Sequence, residues 1–555
     1  AMAAASAPDP APGAGPQPLL RGEGCGEDAQ RVEEAPTLAR RSAIVISYAV
    51  FTVLLLYASG APVFVAVVLQ QLDRLPPDSW VMQVLFPVGS TGFGQTEDGR
   101  VDLVGRNYLS MAVPWFTTAM LWEAFLMLVV LPPSFRPRHR YRINDTISSI
   151  STGILFLLIS QVAFIQWGTP LYKAIYSNLR LTDAFRDSRS TLSWWLCFFA
   201  TDALYYVWHR ASHYVSWLWA SHVVHHSSEE FNLSTALRQP ANDFLVPNAL
   251  LSTTSMAFLF PAELAAFHGQ FGLLYQFWIH TQLIPPLPVV ELVFNTASLH
   301  RIHHARNLRA LGKNYGSVLS IWDRLGGTFE PELADSEEIF YGVIPPLKSW
   351  NPVWVNLSHW HHMFFVQRRW HGLKTPFVHW TPPQGHCPRL GSRLNPRAKY
   401  DVFPSSTWLQ VFVVGEFLLV LAAFLVLSLR GPPVEWLISL LDLSGEAASS
   451  VSYALAFALA AAALAIIGSI ETAQGAAALR VALMSCAALV AVVAALAEGV
   501  LALDAGGQGS ERSVAAWQVV VAAYVLFHAG FVVALWPWQT RTVAHRPEGS
   551  ECGCS

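Results

Sequence analysis

Nine of the chain's 19 histidines fall between residues 209 and 304, in four clusters: His209 and His213; His222, His225 and His226; His280; and His300, His303 and His304. Two clusters share the spelling H-x-x-H-H, as H-V-V-H-H and H-R-I-H-H. On a helix, residues three and four apart share a face. His209/His213, His222/His226 and His300/His304 are therefore pairs that can each grip one ion, while His225 and His303 sit one position aside, within reach of a second. Imidazole suits iron, zinc, copper and nickel. A zinc site is filled by about four ligands, so nine imidazoles predict two metals with four or five nitrogens each. Any fold that satisfies this must bring four separate segments to one place. Soluble di-iron bundles rely on carboxylates; a neutral, all-nitrogen set leaves the metals strongly positive and favours dioxygen activation at reduced iron.

The histidines lie among apolar segments. The chain is 53% hydrophobic and 13% charged, with 21 tryptophans, where soluble domains carry about 25% charged residues. Mean hydropathy is +0.36. These values predict an all-α polytopic membrane protein, whose transmembrane helices carry a cytosolic-side, histidine-rich di-metal core and a cap. A span needs about 20 apolar residues; the candidates are 43–70, 107–131, 147–168, 191–214, 244–266, 268–288, 408–429, 451–471, 479–501 and 515–536. The pair within 244–288, interrupted by Pro261, Gly269, Pro285 and Pro286, reads as a hairpin shorter than two full spans. The expected organisation is a disordered tail over 1–40 with no cleaved signal peptide, a transmembrane region with the first clusters over 41–288, and a cap with the last cluster over 289–407. C-terminal transmembrane helices over 408–538 and a tail over 539–555 follow. Basic residues favour the cytosolic side. Arg40 and Arg41, then Arg136, Arg138, Arg140 and Arg142, and finally Arg541 and Arg546, place all nine histidines on that face. The N-x-S/T sequons at Asn144, Asn232 and Asn356 fall there too, so none is expected to be glycosylated. A net charge of −3 argues against a nucleic-acid partner. The six scattered cysteines, without C-x-x-C, predict neither a disulfide framework nor a thiolate site.

Metal-bound histidines usually donate their second N–H to a carboxylate or carbonyl. Asp202, two turns before His209, is a candidate orienter. Glu229 and Glu230, just after His226, and Asn295, just before the last triplet, are others; ordinary capping is the alternative for each. His359, His361 and His362 (H-W-H-H) have different spacing and read as interfacial or structural. His528 reads as a packing residue, and the C-terminal Cys552-Gly-Cys-Ser as a plain polar tail. Tyr205, Tyr206, Trp208, Phe277 and Trp278 could shape a lipid tunnel or form core and interfacial belt.

The flanks of the clusters carry a resemblance. H-H-S-S-E-E-F-N-L-S-T-A-L-R-Q (225–239), L-Y-Q-F-W-I-H-T (274–281), N-T-A-S-L-H-R-I-H-H-A-R-N (295–307) and G-K-N-Y-G-S-V-L-S-I-W-D-R-L-G-G-T-F-E (312–330) are similar to the alkylglycerol monooxygenase branch of the fatty acid hydroxylase/sterol desaturase superfamily. Fainter echoes are R-I-N-D-T-I-S-S (142–149) and P-R-L-G (388–391). The resemblance covers roughly 107–405. It implies two iron ions, an ether-lipid substrate hydroxylated by O2 at the ether carbon to give a fatty aldehyde and a glycerol product, tetrahydrobiopterin as reductant, and the endoplasmic reticulum membrane. The chain departs from the family pattern at Tyr214, where an acid is common, and at Leu299, where a histidine is.

Two other readings stand beside this one. A sterol or fatty acyl hydroxylase or desaturase would take electrons from cytochrome b5, although the chain has no H-P-G-G haem motif. A metal transporter would place its site near the membrane midplane, not at span ends.

Overall fold

The computed structural model describes residues 38–59, 108–132, 141–163, 168–188, 190–243, 254–332, 338–343 and 346–366, with isolated positions at 61, 400 and between 410 and 421. Residues 1–37 of the expected N-terminal tail, three of the four C-terminal spans, His528 and the Cys552 tail lie outside the described residues, while residues 38–40 are helical rather than tail. The described chain is helical. Among these residues there is no named strand, only isolated bridges at Phe294–Leu319 and Ala305–Tyr341.

Among the described residues, eleven named α-helices frame the site. They are α1 (Leu38–Ala58), α2 (Tyr108–Phe125, continuing as a π turn over Leu126–Val130), α3 (Ile143–Ala163), α4 (Thr169–Leu179), α5 (Thr191–Tyr214), α6 (Ser216–His226), α7 (Leu233–Ala236), α8 (Ala262–Trp278), α9 (Ala297–His304), α10 (Ile321–Gly326) and α11 (Pro352–His361). Helices α1, α2 and α8 pack together. Their shared core contains Phe51, Leu55, Ala119, Met120, Leu126 and Phe277. Outward, the same helices leave Val45, Ile46, Val53, Leu56, Leu121, Leu128 and Val129 exposed. Ala112–Val130 is long and apolar enough to cross a membrane, and Ser42–Ala58 is a shorter apolar helix.

Two sequence expectations shift. Among the described residues of the hairpin expected over 244–288, one continuous helix, α8, runs through Gly269. Pro261 stands at its N-cap, where a missing N–H costs nothing. Gly269 and Gly272 lie inside the helix, because an interior glycine costs only about 1 kcal/mol and packing readily offsets it. The candidate span 147–168 corresponds to α3, which begins earlier and is polar in its first half: Asn144, Asp145, Ser148, Ser149, Ser151 and Thr152 are all buried. That half supports the histidine loops. The three sequon asparagines, Asn144, Asn232 and Asn356, are also buried, and Asn232 caps α7 through a bond from the Ser234 N–H.

The strongest polar tie in the frame is Arg238 to Asp145, 2.9 Å apart with both side chains 1% exposed. The guanidinium also donates to Ser149 Oγ and Ser227 Oγ, and Asp145 accepts from the Glu229 N–H. Breaking a buried pair by removing one partner leaves an uncompensated charge. Arg238→Met is therefore expected to lower stability by about 3–5 kcal/mol in chemical denaturation of the detergent-solubilised protein; a loss under about 1 kcal/mol would contradict this role.

Candidate metal centre

Four segments supply the nine histidines. Helix α5 carries His209 and His213 at its C-terminal end. The chain breaks at Val215, which is extended (φ −103°, ψ 118°), and turns into α6 with His222, His225 and His226. His280 follows the end of α8. The short helix α9 carries His300, His303 and His304. All are buried except His222, which is half-buried.

The imidazoles sort into two groups, each with donor atoms within 4.8 Å of one another: His209, His213, His222, His226 and His303; and His225, His280, His300 and His304. The two H-x-x-H-H helices exchange members. Helix α6 gives its i,i+4 pair to the first group and His225 to the second; α9 gives its i,i+4 pair to the second group and His303 to the first. His226 and His304 stack across the divide, with centroids 4.4 Å apart.

Within each group the Nε2 atoms face one another. In the first, His209–His222 is 2.9 Å, His222–His226 3.1 Å and His226–His303 3.2 Å. In the second, His225–His280 is 3.2 Å, His280–His300 2.9 Å and His300–His304 3.1 Å. Four rings have their tautomer set by a backbone carbonyl. His209 Nδ1 lies 2.8 Å from the Tyr315 oxygen, His303 Nδ1 2.9 Å from Lys313, His225 Nδ1 3.0 Å from Arg238 and His280 Nδ1 2.6 Å from Gln276. A carbonyl only accepts, so each Nδ1 carries the hydrogen and each Nε2 a bare lone pair. The 3.2 Å contact between His225 and His280 is thus lone pair against lone pair. It is repulsive unless a cation lies between them. Ligands about 2.1 Å from an ion lie about 3.0–3.4 Å apart at right-angle to tetrahedral geometry. The donor set therefore fits a metal in each group.

Burial keeps these rings neutral. It pushes the His225 pKa down to about 4 and those of His222, His226, His300, His303 and His304 well below the usual 6.5. Neutral imidazole is the form that binds metal.

The carbonyls that orient the rings are themselves pinned. Lys313 and Tyr315 flank Asn314, whose positive φ of 54° is a conformation asparagine tolerates. Asp323 accepts from the Tyr315 and Gly316 N–H groups, both at 2.7 Å. The motif G-K-N-Y-G-S…W-D-R is thus a hydrogen-bonded plinth for the first group. On the other side, Arg238 and Asp145 hold the carbonyl beneath His225.

The expected orienting residues act one step further out. Asp202 does not reach His209. It accepts from the Val318 and Leu319 N–H groups and Trp322 Nε1, fixing the strap that follows Tyr315. Glu229 pairs with Arg142 and the Tyr400 N–H, and Arg142 also pairs with Glu230. Asn295 donates to the Gly316 and Ser317 carbonyls. His359, His361 and His362 belong to neither histidine group. Residues not singled out from sequence are Asp145, Arg238, Asp323 and Glu123. The first three lie inside the quoted motifs, and Glu123 is a lone acid in an apolar segment, which is a functional signal in itself.

A helical frame with an apolar helix long enough to cross a membrane thus holds two sets of imidazoles. The family model described as fatty acid hydroxylase matches residues 194–328, which include all nine histidines. Alkylglycerol monooxygenase of Homo sapiens is 36% identical over 334 residues, covering 57% of this chain and 70% of that protein. The enzymes of that name from Danio rerio (36% over 330 residues, 57% and 70%) and Xenopus tropicalis (36% over 354 residues, 61% and 74%) agree. The chain belongs to the alkylglycerol monooxygenase family. No solved structure matches it.

Buried histidines also set a pH dependence. Below about pH 6.5 the unfolded chain protonates its histidines, while folded His225 resists until about pH 4. The unfolded state then binds more protons, so stability falls as pH falls. The thermal midpoint of metal-free protein is expected to drop steadily between pH 6.5 and 4; a midpoint flat across that window would contradict buried neutral rings.

Proposed function

We propose that this chain is a polytopic membrane enzyme that cleaves the ether bond of alkylglycerol lipids, with the nine histidines holding two iron ions. The observation that carries the reading is the convergence of bare Nε2 lone pairs in two groups, in a chain whose relatives are alkylglycerol monooxygenases. The membrane assignment is supported by Ala112–Val130 and by the exposed apolar faces of α1 and α2, since soluble monomers rarely expose large apolar patches. The organisation follows the sequence: tail, transmembrane region, cytosolic cap and C-terminal helices, with an endoplasmic reticulum location taken from the family resemblance.

Iron held by the two groups would supply dioxygen activation. One oxygen atom enters a C–H bond of the carbon next to the ether oxygen. The other leaves as water, with two electrons and two protons from a reductant, for which the family resemblance supplies tetrahydrobiopterin. The resulting hemiacetal splits into a fatty aldehyde and a glycerol hydroxyl.

The chain's own residues position and enclose this chemistry. The backbone carbonyls of Lys313, Tyr315, Arg238 and Gln276 hold the Nδ1 hydrogens, so that each Nε2 points inward. Burial of the rings excludes water. A cavity of about 50 Å³ lies between α5 and α8, lined by Phe198, Tyr205, Gly269, Gly272, Leu273 and Val318 among others. The Tyr205 hydroxyl in its lining donates to Gln276 Oε1 at 2.6 Å, and the Tyr205 ring lies 5.2 Å from that of His209. The other aromatics singled out are committed elsewhere: Tyr206 bonds Thr328, and Phe277 packs on Phe116 with Trp278 in the same core.

The test is product analysis with purified protein, ferrous iron, O2, tetrahydrobiopterin and an alkylglycerol. Fatty aldehyde is expected from the wild type. His303→Ala should abolish it and lower iron content, whereas His361→Ala should spare both. Full iron and full turnover in His303→Ala would sink the assignment.

A further inference from the structure

The apolar stretch Ala112–Val130 contains one charged residue, Glu123, and its side chain is 0% exposed. An ionisable group at this depth is expensive and needs partners. Three donors meet its carboxylate. Thr281 Oγ donates to Oε1, and the Tyr141 hydroxyl and the Leu233 N–H, the latter at 2.8 Å, donate to Oε2. They come from the start of α3, the start of α7 and the turn after α8.

Two of these donors belong to the walls of the second histidine group. Thr281 follows His280 directly. Its carbonyl is held from the far side by Arg301 Nη1 at 2.8 Å, and Arg301 is the neighbour of His300. Leu233 lies two residues from Phe231, whose ring stacks on His280 at 5.6 Å and 23° and lies 5.3 Å from that of His304. The first group is placed instead by the Lys313 and Tyr315 carbonyls on the opposite strap. We propose that Glu123 is a positioning residue for the second histidine group, acting through Thr281 and Leu233 to set His280 and the ring that backs it.

The hydrogen-bond chemistry makes this separable from a role for charge. The Leu233 N–H can only donate, while the Tyr141 and Thr281 hydroxyls can donate or accept. Glutamine can set its carbonyl where Oε2 stands, keeping Leu233 and Tyr141, and donate its amide hydrogens to Thr281. Leucine fills similar space and keeps none of these bonds. E123Q should therefore behave as wild type and E123L should not.

Two measurements on the full chain in detergent test it. In metal-free protein, deuterium uptake by the peptide covering 279–284 should be about tenfold faster in E123L and unchanged in E123Q. On titration with ferrous ion, E123L should fall from two irons per chain to one, keeping the first group's, while E123Q keeps both. T281V leaves the carboxylate bound to Tyr141 and Leu233 but also removes the acceptor of the Leu283 N–H, so if E123L fails to fold it is read on a peptide ending at Gln282, where it should raise uptake. Wild-type uptake in E123L or, where that fails to fold, in T281V overturns the proposal, as does E123Q matching E123L or loss of both irons together. The iron titration rests on the two-metal reading. Should the wild type bind no iron, that reading fails, and the uptake experiment still decides the role of Glu123.

Discussion

Lone pairs that face one another without a proton between them are the constraint on which this structure turns. His225 and His280 each give their only ring hydrogen to a backbone carbonyl and then meet Nε2 to Nε2 at 3.2 Å. Left alone, such a contact would push the rings apart, and burial denies them water as a substitute. Proton uptake could relieve the repulsion, but burial disfavours the charged ring. A metal ion between the two rings would supply the balancing charge, and both groups have the donor set to take one. His225 and His280 thus have to be held against their own repulsion in the metal-free chain, and the surrounding residues are arranged to do that.

Buried carboxylates do the holding from a distance. None of Asp145, Asp202, Asp323 or Glu291 touches a ring. Asp323 and Asp202 fix the strap from Tyr315 to Trp322, Asp145 fixes Arg238, and Glu291 accepts from Thr296 and Ser298 at the start of α9. Each locks a backbone segment whose carbonyl or helix then sets an imidazole. Carboxylate charge is kept one layer away from the two histidine groups, whose own donors are neutral and all nitrogen.

Much of this was legible in the spacing of the histidines. The i,i+4 pairs land in common groups, and the middle members, His225 and His303, cross to the other group, as helical geometry requires of a residue one position aside. The supporting layer was not legible in the same way. Asp202 has helical register with His209, yet the group that orients His209 is the Tyr315 carbonyl. A backbone carbonyl leaves no mark in a sequence, and its placement depends on a left-handed Asn314 and on Asp323, eight residues beyond Tyr315. The break expected at Gly269 fails for a related reason: propensity is local, while α8 is held by packing on α1, α2 and α5. Glu123 was not singled out, because a lone acid in an apolar run gains its meaning from donors on three other segments.

X-ray absorption at the iron edge of the purified, iron-loaded chain tests the central claim most directly. Two irons per chain are expected, each with a first shell of imidazole nitrogen and the outer scattering pattern of histidine rings. A single iron per chain, or a shell dominated by carboxylate oxygen or sulfur, would contradict it.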